Sequence, residues 1–168
     1  MDKRKKQIVM RVVIILLLGM NLLLLIQSKD HKKFISDFID LYYDQVLIKE
    51  EQRDKLLQDF ENQKENDFYK EYEQYLTYNF MQNLIEAKKL PDFNLINYGI
   101  ENHIKAFKIE NARIRSKGKN VFDVKYDLIL IDDKGKKTIN HHEESYTLKK
   151  ENKDYKINLI TVKIRNLK

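Results

Sequence analysis

The chain has 168 residues, no cysteine, four glycines, one proline and a formal net charge of +6. That length allows one membrane anchor and one domain large enough to bury a core. The missing cysteines exclude disulfides, a lipoprotein acyl site, a Cys nucleophile and thiolate metal sites. The charge is unevenly placed: Lys3, Arg4, Lys5, Lys6 and Arg11 against Asp2 leave 27 basic and 25 acidic residues beyond position 27, so a generic nucleic-acid-binding surface is not indicated.

The first element is the apolar run Ile8–Ile26, IVMRVVIILLLGMNLLLLI. Its length as a helix, roughly 28 Å at 1.5 Å per residue, matches a bilayer's hydrocarbon core. A basic start followed by an apolar run also describes a cleavable signal peptide. This run is longer than such a core, however, and its exit Leu25-Ile26-Gln27-Ser28-Lys29 carries no small-residue cleavage site. Residues 1–28 therefore read as a cytoplasmic basic tip and a transmembrane signal-anchor, and residues 29–168 as the extracytoplasmic domain. The orientation follows the leading basic cluster, which outweighs Lys29, Lys32 and Lys33 on the far side. Asn21 within the span reads as a tolerated polar residue, since Gly19 has no G-x-x-x-G partner to support a dimer face.

Beyond the anchor, Phe34, Phe38, Leu41, Tyr42 and Val46 recur at three- and four-residue steps and predict a helix over 29–58, with a break in the charged interval Glu50–Lys55 and a direct continuation from the membrane helix across Ile26–Phe34 both open. Phe68, Tyr72, Leu76, Phe80 and Leu84 form an i, i+4 row that predicts a second helix from Asn66 to Lys89. The stretch Asp92–Asn102 fits either a short helix or an extended segment. From Ile104 the period shifts towards two, and four strands are expected: Ile104–Arg115, Val121–Ile131, Lys137–Lys149 and Tyr155–Arg165. In the second of these Phe122, Val124, Tyr126, Leu128 and Leu130 share one face, with Asp123, Lys125 and Asp127 on the other. The expected fold class is α+β: the transmembrane helix, then two or three helices packed on a curved four-stranded antiparallel meander.

The closing stretch VFDVKYDLILIDDKGKKTINHHEESYTLKKENKDYKINLITVKI and the start FISDFIDLYYDQV resemble the nuclear-transport-factor-2-like, cone-shaped α+β fold. Within it, the nearest likeness is to the membrane-anchored TcpC and VirB-eight-like group, assembly proteins of type IV secretion and conjugation machines of Gram-positive bacteria. The chain departs from TcpC in having one such domain rather than two. The resemblance implies a single-pass, non-enzymatic scaffold subunit whose partners are the lipid bilayer, other secretion-complex subunits and further copies of itself, with no direct nucleic acid. The alternative it leaves open is an exported small-ligand-binding domain or an enzyme using the pocket of the cone.

No catalytic, cofactor-binding or metal site is assigned from the residues. His141-His142-Glu143-Glu144 has metal-ligand residue types, but on a strand each face offers only two, and the stretch reads as a solvated strand end. Acid/base residue types available to a cone pocket are Asp123, Asp127, His103, Tyr126 and Tyr146, although the two aspartates lie on the strand face opposite Tyr126. The alternating-sign stretch Lys49–Asp67 reads as a solvated helix face, with subunit docking as its functional alternative. Lys149, Lys150, Lys153, Lys156, Lys163, Arg165 and Lys168 make the tail basic, which suits sheet-edge solubility or an anionic surface.

Overall fold

A computed structural model describes residues 30–62 and 66–166, with side chains up to Lys163. The membrane anchor expected at Ile8–Ile26 lies outside these residues. Among the described residues no helix is long and apolar enough to cross a membrane. The chain divides into two compact units, Met1–Ile35 and Ser36–Lys168. Residues 30–35 are helical; everything below concerns the second unit.

That unit is α+β, with the helical layer before the sheet in sequence. Within it helix α1 covers residues 36–44 and passes into a 3-10 turn at Gln45–Leu47. It is followed by α2 (Glu50–Glu61), α3 (Asp67–Glu73), α4 (Tyr78–Glu86) and α5 (Phe93–Glu101). Four strands follow: β1 (Ile104–Gly118), β2 (Val121–Asp132), β3 (Lys137–Glu151) and β4 (Asp154–Asn166), paired antiparallel in chain order. All four expected strands are present, each extended by one to three residues.

The helical layer corrects the sequence reading, which anticipated two or three helices where five form among the described residues. The predicted helix over 29–58 ends at residue 44. There the buried Gln45 donates from Nε2 to the Tyr42 carbonyl (3.0 Å) and accepts the Asp92 amide at Oε1 (2.7 Å). The glutamine side chain thus gives the Tyr42 carbonyl the donor that a continued helix would have given it, ties the turn to Asp92, and the chain turns. Helix α2 restarts at Glu50, with Gln52 accepting the Lys49 amide, and buries none of its residues. The solvated reading of the charged stretch holds for that helix.

The predicted helix Asn66–Lys89 is two helices. Between α3 and α4 the chain extends at Tyr75–Thr77 and adds a parallel bridge to the edge of β4. The Thr77 amide donates to the Ile157 carbonyl (2.9 Å), and the Ile157 amide donates to the Tyr75 carbonyl (2.7 Å). Thr77 then caps α4 by accepting the Phe80 amide. The ambiguous stretch Asp92–Asn102 resolves as α5, capped by Asp92. Gly99 lets α5 approach the 3-10 turn, because a Cβ there would fall 1.9 Å from the Val46 carbonyl oxygen.

The β2 alternation is as read from sequence: Phe122, Val124, Tyr126, Leu128 and Leu130 are buried, and Lys125 is exposed. On β3 the inward set is Asn140, His142, Glu144, Tyr146 and Leu148. Helix α1 packs on this inner face through Phe38 against Tyr146 and Tyr43 against Tyr126, both edge-to-face. The hairpins turn through residues with positive φ: Asn120, Gly135 and Asn152. Asp132 organises the middle one by accepting the Lys134 and Lys136 amides.

Candidate functional site

The inner face of β3 is where polar chemistry meets the core. Strand alternation sends Asn140, His142, Glu144 and Tyr146 inward in succession, and the first three are 1, 5 and 3 % exposed. Burying an amide, an imidazole and a carboxyl side by side is costly unless each finds partners. Two of the three find some.

Tyr146 donates its hydroxyl to Glu144 Oε2 at 2.7 Å. His142 stacks flat on its cross-strand neighbour Tyr126, with ring centroids 4.8 Å apart and planes 2° from parallel. Its Nδ1 lies 3.3 Å from the Tyr43 hydroxyl, which lies 3.0 Å from the Tyr126 hydroxyl. Glu144 Oε1 is 3.8 Å from the same Nδ1, beyond hydrogen-bonding reach. Burial pushes the Tyr126 and Tyr146 hydroxyls far above the usual tyrosine range, Glu144 adding to the effect, so both stay protonated donors.

Other groups in the row have no partner. Both polar atoms of the Asn140 carboxamide and Nε2 of His142 lack any hydrogen bond among the described residues. Each such group costs about 1–3 kcal/mol relative to a satisfied one.

Asn140 and His142 belong to the lining of a cavity of about 340 Å³ between the sheet, α1 and α5. Its floor is Leu128 and Leu130, and its walls include Tyr42, Tyr43, Leu95 and Tyr98. The volume falls in the range of small-ligand pockets, roughly 300–1,000 Å³. At the rim Asp92 is fully engaged, capping α5 through Oδ1 and accepting the Tyr42 hydroxyl through Oδ2 (2.7 Å). Lys89 lines the same rim. A neighbouring cavity of about 210 Å³ shares Tyr42, Tyr43 and Lys89, and Phe38, Phe80, Tyr126, Glu144 and Tyr146 help to line it.

The residues singled out in the sequence separate cleanly. Tyr126 and Tyr146 belong to the inner face. Asp123 and Asp127 lie on the outer face, where Lys117 (2.6 Å) and Lys163 (2.7 Å) hold the Asp123 carboxyl down to about 2. Hydrogen bonds from Asn111 (2.6 Å) and His141 lower Asp127 in the same way. His103 is exposed, at positive φ, between α5 and β1. Tyr126 and Asp127 nonetheless both line an outer hollow of about 330 Å³ with Asn111, Lys125 and His141, whereas the two inner-face cavities include neither Asp123 nor Asp127.

The His141–Glu144 stretch corrects the solvated reading in half of its residues. His141 and Glu143 are on the outer face, Glu143 bonded to Lys125 at 2.7 Å, while His142 and Glu144 are core. Among the described residues no group of three or more His, Asp or Glu side chains is placed to hold a metal ion. Sequence reasoning missed Asn140, Tyr42 and Tyr43. The signal for Asn140 was available, because the alternation that turns Tyr146 and Leu148 inward turns Asn140 inward too.

The chain matches no protein-family model, no curated protein and no solved structure.

Proposed function

We propose that this chain is a single-pass, membrane-anchored and non-enzymatic domain that binds a small ligand between its helices and the inner face of its sheet. The observation that carries the binding half is the unpartnered carboxamide of Asn140 and the unpartnered Nε2 of His142, both buried residues in the lining of a cavity large enough for a ligand. Binding is favoured over catalysis because the inner-face acids and bases are tied to one another or held protonated, Tyr146 to Glu144 and Tyr43 to Tyr126.

The membrane half is supported by the apolar run Ile8–Ile26 and its basic flank, with the N-terminus in the cytoplasm and the domain outside. The meander, with register shifts in β1 and β4, suits the curved sheet of a nuclear-transport-factor-2-like cone.

Native mass spectrometry of the full chain, gently extracted from its own host's membranes, tests the binding reading. A bound small molecule is expected, lost on unfolding and lost in Leu95→Trp, which fills the cavity. A chain that carries only water in every preparation, and keeps the same mass in Leu95→Trp, counts against it. Protease added to intact protoplasts should remove the domain; protection would overturn the outward topology.

A second reading, assembly subunit of a conjugation- or secretion-type complex, is favoured by apolar side chains on the sheet's outer face. Ile139 is 50 % and Leu159 48 % exposed there. Crosslinking in native membranes should then recover partner subunits or self-oligomers through that face, and substituting both residues with serine should abolish the adducts.

A further inference from the structure

We infer that the cavity recognises a neutral cyclic amide carrying a second carbonyl, the pattern of a cyclic imide, through Asn140 and His142. This inference rests on the ligand-binding reading above and adds the class of ligand. The first ground is what the lining leaves unmet. Asn140 offers one carbonyl acceptor and one amide donor, both without partners. An amide whose N–H and C=O lie on the same side, as a ring enforces, answers both with two parallel hydrogen bonds. A lone hydroxyl or ether answers only one.

The second ground is the chain of hydroxyls behind the imidazole. The contacts among the Tyr126 and Tyr43 hydroxyls and Nδ1 of His142 allow either direction; we take Tyr43 as the donor to Nδ1, which places the ring proton on Nε2. That nitrogen is then a buried donor in need of an acceptor. Asn140 and His142 stand two residues apart on one strand face, roughly 7 Å along the strand. A second carbonyl on the same small ring supplies the acceptor from that distance. The unpartnered polar atoms are sealed from solvent in the ligand-free fold, so binding includes turning the carboxamide, whose terminal torsion is soft, towards the cavity.

The third ground is the character of the walls. Leu128, Leu130 and Leu95 are apolar, Tyr42, Tyr43 and Tyr98 are flat, and Asp92 is already engaged by Leu95 and Tyr42. Below the rim, which Lys89 also lines, the wall suits an uncharged, flat ring. A carbohydrate ring, with hydroxyls all round, would leave most of them unanswered against those leucines.

The test uses the full chain in lipid nanodiscs with 13C-labelled leucine methyls, followed by NMR during titration with three probes: glutarimide, N-methylglutarimide and cyclohexanone. Glutarimide should shift the Leu128 and Leu130 methyls saturably. N-methylglutarimide, which lacks the N–H, and cyclohexanone, which also lacks the second carbonyl, should bind roughly tenfold more weakly or worse, as expected when a buried amide loses its partner. Asn140→Leu should remove the preference over N-methylglutarimide, and His142→Phe, which keeps the stack on Tyr126, should narrow the margin over cyclohexanone. Three outcomes overturn the inference. Equal binding of all three probes, or a preference unchanged in both variants, would mean a cavity that binds rings without reading the amide, leaving the broader binding reading standing. No saturable shift with any probe would overturn both.

Discussion

The two faces of the β2–β3 pair are made from similar residue types and treat them in opposite ways. On the outer face each acid has a partner beside it: Lys117 and Lys163 on Asp123, Lys125 on Glu143, Asn111 and His141 on Asp127. These groups are in or near water, where a pair gains little and an unpaired charge loses little. On the inner face a row of equally polar side chains sits in the core, and there Asn140 and one side of His142 go unanswered. The difference teaches where selection for stability alone would act. Outer-face pairing is cheap and nearly complete, whereas the inner-face deficit is expensive and persists.

The comparison can be broken at several levels. The largest effect should come from the inner face's apolar floor. Leu128→Ala, at a residue 1 % exposed, should cost about 2–5 kcal/mol in denaturant unfolding. A cost below about 1 kcal/mol would mean the floor is not packed as described. Next, Asn140→Leu should raise the stability of the ligand-free protein by about 1–3 kcal/mol, because it removes an unsatisfied buried amide while keeping its approximate volume. A loss of that size would instead show that Asn140 is satisfied in solution, and the contrast between the faces would fall.

A third effect lies at high pH. Tyr72, Tyr126 and Tyr146 are protonated in the fold because burial raises each of them far above the unfolded value near 10. Their contribution to stability is intact below about pH 10 and declines as pH rises above it. Absorbance titration should therefore show these three ionising only together with unfolding. A smooth titration of all ten tyrosines with the fold intact would contradict their burial.

The acid limb belongs to the outer face. The folded Asp123 carboxyl titrates near 2, below its unfolded value near 4. Its contribution is thus present above pH 4 and lost as pH falls towards 2. Asp123→Asn should flatten that part of the stability profile by lowering stability above pH 4 and leaving it unchanged near pH 2. The smallest effect should be that of Lys125→Ala, about 0–1 kcal/mol, since Lys125 is 60 % exposed in its bond to Glu143.

How much of this was legible in the sequence depended on the range of the interactions involved. The alternation of Phe122 to Leu130 is a local pattern with one satisfactory answer, and the strand follows it residue by residue. The row Phe68, Tyr72, Leu76, Phe80 and Leu84 is just as regular, yet the helix it predicts is interrupted at Tyr75–Thr77. What interrupts it is pairing with Ile157, some eighty residues away, and no local period reports that. Tyr72, Leu76 and Phe80 are buried all the same, so the pattern identified core residues while misjudging the backbone between them. At the candidate site the strand face of His142 and Glu144 was readable from alternation. Their burial was not, because it depends on α1 bringing Phe38 and Tyr43 over them.

The bridge between Leu76 and Ile157 has one more consequence. An open sheet ends in strands whose free amides and carbonyls invite another chain to pair with them. Here the protein spends three residues of its own helical layer to occupy the β4 edge where that strand begins, with the Thr77 and Ile157 amides both committed. The helical layer is thereby fastened to the sheet by backbone as well as by side chains. The Thr77 amide should accordingly exchange with solvent as slowly as amides in the middle of the sheet, far more slowly than those of α2, making a helix-to-helix linker one of the last places in the domain to open.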